Sequence, residues 1–124
     1  MKFIKLWVPV AIWAGGIFLF SSISGLETEL EYDFVLRKLA HIFEYFILTF
    51  LLYRAFKGSF NMNPWRLYIY SGVFALLYAI SDEIHQYFVL SRNCSLGDVL
   101  IDALGIIGFF IFIKIRKGCS CLTK

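Results

Sequence analysis

Charge is scarce in this sequence: 17% of its 124 residues are Asp, Glu, Lys or Arg, and they are scattered. A formal charge of +3 without a basic stripe excludes a nucleic-acid surface. Cysteine is equally sparse. Cys94, Cys119 and Cys121 give neither a paired disulfide framework nor a specific zinc spacing, and Cys119 and Cys121 read as a reduced pair beside a membrane. No internal repeat, low-complexity tract or long linker divides the chain, so a single unit over residues 1–124 is expected, with no separate soluble domain.

What the sequence has in abundance is apolar surface. It is 60% hydrophobic and 19% aromatic, with a mean hydropathy of +0.73. Ordinary soluble domains are about 45–50% apolar. The composition is that of an integral membrane protein. A spanning helix needs about 20 mostly apolar residues, and four stretches fit: about 6–22, 34–53, 65–88 and 96–115. The expected fold class is therefore all-α, a polytopic bundle of four transmembrane helices. Gly58 and Asn61-Met62-Asn63-Pro64 mark a loop, with Pro64 suited to open a helix. The first stretch also has features of a signal peptide, with Lys2 and Lys5 before it and Ser22-Ile23-Ser24 after it. Its apolar region reaches the upper length limit for such a peptide, which favours an uncleaved helix.

The flanking charges orient the bundle. Lys2 and Lys5 precede the first span, Arg54, Lys57 and Arg66 surround the second loop, and Lys114, Arg116 and Lys117 follow the fourth span. The first loop carries Glu27, Glu29, Glu31 and Asp33, and the third has Arg92 alone. The positive-inside rule then puts both termini and the second loop in the cytoplasm, with loops one and three outside.

The polar residues inside the spans collect at that outer side. Ser21 and Ser22 end span one, "RKLAHIFEY" begins span two, "DEIHQ" ends span three and "SLGDVLIDALG" begins span four. Arg37, His41, Glu44 and Leu48 follow at helical spacing on one stripe. Asp82, His85 and Gln86 share a face, with Glu83 about 100° away. Asp98, Asp102 and Gly105 align on span four, and Gly108 continues a small face that a neighbouring helix can approach. An ionisable group inside a bilayer costs a few kcal/mol unless it is paired or wetted. These stripes are expected to meet around a polar pocket open to the outside.

Three chemistries fit such a pocket, beside a purely structural ion-pair network. His41, Glu44, Asp82 and His85 offer nitrogen and oxygen ligands for a divalent metal. Without a metal, His41 or His85 serves as general acid or base, oriented by Glu44 or Asp82, while Arg37, Lys38 and Arg92 hold a phosphate. Ser21, Ser22 and Cys94 are weaker candidates for a nucleophile. A carboxylate–histidine proton relay in a small transporter is the third. In the structural alternative Arg37, Lys38 and Arg92 neutralise Glu44, Asp82, Glu83, Asp98 and Asp102, which leaves two carboxylates unbalanced, five anions against three cations. That excess favours a ligand.

Four segments carry a resemblance to a known family: "FSSISG" at 20–25, "RKLAHIFEYFIL" at 37–48, "LYAISDEIHQYFVLSR" at 77–92 and "SLGDVLIDALGIIG" at 95–108. In their order they resemble the VanZ-like family of small bacterial membrane proteins. The resemblance implies a helical bundle facing outward, whose namesake is associated with resistance to the glycopeptide teicoplanin. It also implies functional weight for Arg37, Lys38, His41, Glu44, Tyr45, Asp82, Glu83, Gln86, Arg92, Asp98 and Asp102, the positions that match the family's recurring polar residues. Leu90-Ser91 departs from the Pro-Gly more usual there and alters the expected turn of the third loop. No reaction is implied by the family. The expectation is a membrane protein that binds, and acts on, a membrane lipid or a lipid-linked envelope precursor. Arg37, Lys38 and Arg92 would hold the anion, and His41, Glu44, Asp82, Glu83 and His85 would supply acid–base groups or metal ligands, with Asp98 and Asp102 orienting them.

Overall fold

The computed structural model describes residues 1–22, 31–88 and 96–121, with side chains at all of these except 31–34 and 120–121. Among the described residues the chain is helical: α1 (Lys2–Ser22), α2 (Glu31–Ser59), α3 (Pro64–Phe88) and α4 (Leu96–Cys121). The helices run past the expected apolar spans at several ends, because helical hydrogen bonding continues beyond the point where the side chains turn polar. Three of them, α1, α3 and α4, are long and apolar enough to cross a membrane. The exception, α2, carries Arg37, Lys38, His41 and Glu44 in its described first half.

The start of α3 shows how local sequence sets a boundary. Asn63 Oδ1 accepts a hydrogen bond from the Arg66 backbone N–H at 2.9 Å. Pro64 occupies the first helical position, where its missing N–H leaves no intrahelical bond unmade. Asn-Pro therefore closes the α2–α3 connection and opens the next helix in two residues.

Long-range contacts fix the direction of each helix. Trp7 near the start of α1 donates from Nε1 to Ser59 Oγ at the end of α2, at 2.9 Å. Tyr53 late in α2 stacks at 5.7 Å on Tyr68 early in α3, and the Tyr68 hydroxyl accepts from Lys117 Nζ late in α4 at 2.8 Å. At the opposite end Ser22 of α1 meets His85 of α3. The helices thus alternate up and down, and the start of α1 and the end of α4 share one end of the bundle. Helix α2 touches α1, α3 and α4, whereas α1 and α4 pack on opposite flanks of it.

Burial in this bundle is inverted relative to a water-soluble protein. Phe43 is 62% exposed while Tyr45 is fully covered; Leu100 is 68% exposed and Asp102 1%; Ile84 is 54% exposed and Asp82 3%. In water such an arrangement strands apolar groups and desolvates ionisable ones, both unfavourable. In hydrocarbon it is the stable arrangement, because lipid accepts the phenyl and alkyl groups and the interior shelters the carboxylates. Buried Ser71 and Thr49 fit the same rule, each returning its hydroxyl to the carbonyl four residues earlier at 2.7 Å.

Candidate functional site

Each helix brings polar side chains to the same end for a reason visible in its own sequence. On α3 the buried stripe is Leu67, Ser71, Ala75, Ala79, then Asp82, Glu83 and Gln86. Small residues at four-residue spacing let neighbouring helices lie close, and the stripe then runs on into the acidic pair. On α4 the inner stripe is Asp102, Gly105, Ile106 and Phe109. At Gly105 the backbones of α4 and α2 approach closely: a Cβ there would overlap the Ile42 carbonyl oxygen and lie 3.1 Å from the Phe46 backbone nitrogen. That approach sets Asp102, one turn earlier on α4, beside His41 on α2.

The resulting geometry centres on His41. Its Nδ1 lies 3.3 Å from Asp102 Oδ1 and 3.9 Å from Glu44 Oε2. The 3.3 Å contact has ion-pair separation but lacks hydrogen-bond alignment, and neither of these buried atoms makes a hydrogen bond elsewhere. Tyr45 Oη, Asp82 Oδ1 and Ser21 Oγ are likewise buried without a hydrogen bond. Asp82 lies within electrostatic reach of His41, Glu44, Tyr45 and Asp102. Its second oxygen accepts from Gln86 Nε2 at 2.9 Å, so the amide supports one side of the carboxylate and leaves the other open. The five atoms come from all four helices. His41 and Glu44 keep about a fifth of their side-chain surface exposed, so they form the accessible side of the cluster over the covered Tyr45, Asp82 and Asp102.

The structure brings His41, Glu44, Tyr45, Asp82 and Asp102 within interaction range of one another and buries Ser21 on α1. It sets His85 elsewhere. The His85 imidazole Nε2 sits 3.0 Å from Ser22 Oγ, with its ring 4.2 Å from the ring of Phe18, so it faces α1. Glu83 and Gln86 are buried on α3, and Arg37, Lys38 and Asp98 are half-buried. Among the described residues no three His, Cys, Asp or Glu side chains gather at metal-ligand separation. Arg92 and Cys94, expected to hold an anion and to offer a thiol, lie outside the described residues.

Two supporting residues escaped the sequence reading. Trp13 Nε1 donates to the Glu44 backbone carbonyl at 3.0 Å, and the Tyr78 hydroxyl donates to the Ala14 carbonyl at 2.5 Å. Both tie α1 to the cluster. Tyr78 stands four residues before Asp82, a spacing that would have flagged it. Trp13 gave no signal, since an indole inside an apolar span reads as lipid-facing.

Comparison with known proteins closes the question of kinship. A family model described as VanZ/LLP1 matches residues 3–117. The chain belongs to the VanZ-like family. A relative within curated proteins, the "Uncharacterized membrane protein YwnJ" of Bacillus subtilis (strain 168), is 38% identical over 85 residues. That alignment covers 66% of this chain and 54% of YwnJ, so the chain spans about half the length of that relative. No solved structure matches. VanZ-like membership accounts for a membrane protein with several apolar helices, and the match includes α2 with its charged first half.

Proposed function

We propose that this VanZ-like protein crosses the bacterial cytoplasmic membrane four times, with both termini cytoplasmic. The polar cluster then forms an outward-facing pocket for the anionic head group of a lipid or lipid-linked envelope component. Charge segregation supports the orientation. Lys2, Lys5, Arg54, Lys57, Arg66, Lys114, Arg116 and Lys117 fall at or beyond one end of the bundle. Glu44, Asp82, Glu83, Asp98 and Asp102 fall in the other half, and Glu27, Glu29, Glu31 and Asp33 lie in or beside the first loop. Cytoplasmic loops carry the excess of Lys and Arg.

The observation that carries the reading is a set of buried polar atoms that make no hydrogen bond, Tyr45 Oη and Asp82 Oδ1 beside the loosely aligned His41–Asp102 contact at 3.3 Å. Buried polar groups are nearly always satisfied, so such a set calls for a ligand or ordered water. His41 has the geometry of a positioned acid–base group. Asp102 and Glu44 both face Nδ1, which favours the proton on that nitrogen and leaves Nε2 for a reacting group. Asp102 is the nearer carboxylate and suits the orienting role that the sequence suggests for it with Asp98. Arg37 and Lys38 precede His41 by one turn of α2, about 6 Å along the axis, where they suit a phosphate. Teicoplanin resistance in the family namesake makes lipid-linked wall precursors the first natural ligands to compare.

The direct test is lipid retention by the purified protein, read by native mass spectrometry with phosphatidylglycerol against a neutral diacylglycerol of matched chains. Selective retention of phosphatidylglycerol, weakened roughly 10-fold or more in Arg37→Gln/Lys38→Gln on the scale of a lost charge-assisted hydrogen bond, supports the pocket. Equal retention of both lipids contradicts it. A second reading, a non-catalytic module locked by internal ion pairs, draws on the 3.3 Å His41–Asp102 contact. It expects His41→Ala to unfold the bundle, where the pocket reading expects a folded protein with lost binding or turnover.

A further inference from the structure

We infer that the covered floor of the cluster takes a primary ammonium group, so that the ligand is zwitterionic, with its anionic group near Arg37 and Lys38 and its amine between Asp82 and Asp102. This rests on the anion-binding reading above and extends it inward.

Charge is the first argument. His41 Nδ1 has Asp102 at 3.3 Å and Glu44 at 3.9 Å, and Asp82 lies within electrostatic reach of all three. A purely anionic head group pushed to that depth would add negative charge beside Asp82 and Asp102, both already removed from water. A cationic group there offsets them.

Hydrogen-bond chemistry narrows the cation. Asp82 Oδ1 and Asp102 Oδ1 are buried without a hydrogen bond, Asp102 Oδ1 having only the loosely aligned contact with His41 Nδ1 at 3.3 Å, and an ionised carboxylate accepts only. Tyr45 Oη, also buried without a hydrogen bond and within electrostatic reach of both carboxylates, can accept as well as donate. A primary ammonium presents three N–H donors, matching two carboxylate oxygens and a hydroxyl. A quaternary ammonium offers the same charge with no donor and would leave the acceptors unmet. The described side chains do not gather three His, Cys, Asp or Glu ligands for a metal ion, whereas an ammonium group requires acceptors and no fixed coordination number.

Position agrees with both arguments. Arg37, His41 and Tyr45 stand at four-residue intervals on α2, each step about 6 Å along the axis. The basic pair lies toward the helix start, the partly exposed imidazole follows, and the fully covered tyrosine lies deepest. A head group with phosphate at one end and amine at the other meets these levels in order.

The test uses the full-length protein in detergent with equimolar phosphatidylethanolamine, phosphatidylcholine and phosphatidylglycerol of identical acyl chains, retained lipid being read by native mass spectrometry. The inference expects phosphatidylethanolamine to be retained at least 10-fold over phosphatidylcholine. Asp82→Asn and Asp102→Asn should each erase that preference while phosphatidylglycerol retention persists. Phosphatidylethanolamine and phosphatidylcholine retained alike, with phosphatidylglycerol still bound, overturns the ammonium site and leaves the anion site standing; no selective retention of any phospholipid overturns both. Soluble phosphoethanolamine competing better than phosphocholine supports recognition of the head group by itself, and preference confined to the lipids supports recognition of the intact lipid. The wild-type comparison decides the matter even where a variant fails to fold, which circular dichroism reveals.

Discussion

Gly105 and Gly108 sit one turn apart on α4, and alanine should act oppositely at the two. At Gly105 the new methyl overlaps the Ile42 carbonyl oxygen and comes within 3.1 Å of the Ile42 carbonyl carbon and the Phe46 nitrogen. All three are backbone atoms of α2, which cannot rotate aside, so the helices must separate. Overpacking of this kind costs about 1–3 kcal/mol; the helix-propensity gain of glycine to alanine returns up to about 1 kcal/mol. The net expectation for Gly105→Ala is a loss of roughly 1–2 kcal/mol, about a 5- to 30-fold drop in the folding equilibrium constant. At Gly108 the same methyl meets only Phe46 Cδ2, at 3.8 Å, an ordinary contact. Gly108→Ala should therefore be neutral or stabilising by less than about 1 kcal/mol. Reversible unfolding in mixed micelles, followed by tryptophan fluorescence, measures both. Separation of α2 from α4 also pulls Asp102 away from His41, so Gly105→Ala should lose the preference for phosphatidylethanolamine over phosphatidylcholine and Gly108→Ala should keep it. Equal stabilities for the two variants, or a stabilised Gly105→Ala, would refute the close approach on which the His41–Asp102 pairing depends.

Other outcomes follow from single contacts. Trp7→Phe keeps an aromatic ring near Phe56, which Trp7 meets edge-on at 5.3 Å, but removes the donor to Ser59 Oγ. A loss of about 0.5–1.5 kcal/mol is expected in the same unfolding assay. Asn63→Ala removes the cap on Arg66 N–H and should cost about 1 kcal/mol, most of it recovered by Asn63→Asp, an equally good cap. Asp102→Asn should leave α-helical circular dichroism intact and move the pH dependence of any turnover, because the carboxylate facing His41 Nδ1 is gone while the imidazole remains; an unchanged pH profile would remove Asp102 from the orienting role.

Much of this arrangement was legible in the sequence because helical periodicity and hydrocarbon length are local properties. The four apolar stretches, the loop closed by Asn63-Pro64 and the collection of charges at one end needed no tertiary knowledge. The membership of the cluster was less legible. Asp82, His85 and Gln86 occupy a broad face of α3, wide enough to touch two neighbours, and the bundle turns Asp82 toward α2 and α4 while His85 meets α1. Which carboxylate meets His41 depends on where α4 crosses α2, and that is set by the contact of Gly105 with the Ile42 backbone. Gly108, equally small and equally spaced, meets only a ring edge. Spacing alone does not tell the two glycines apart. Ser21 looked like a helix-end residue; its burial is a property of the packing.

The central claim, a polar cluster that opens away from the cytoplasm and is walled from lipid by its own helices, is tested most directly by sided thiol labelling. With the native cysteines replaced by serine, His41→Cys, Ile84→Cys and Lys57→Cys are placed one at a time in intact cells and exposed to a charged, membrane-impermeant thiosulfonate. The account predicts that the thiol at 41 reacts from outside, the thiol at 84 resists because it faces hydrocarbon, and the thiol at 57 reacts only after permeabilisation. Reaction at 41 confined to permeabilised cells, or reaction at 84 as fast as at 41, would contradict it.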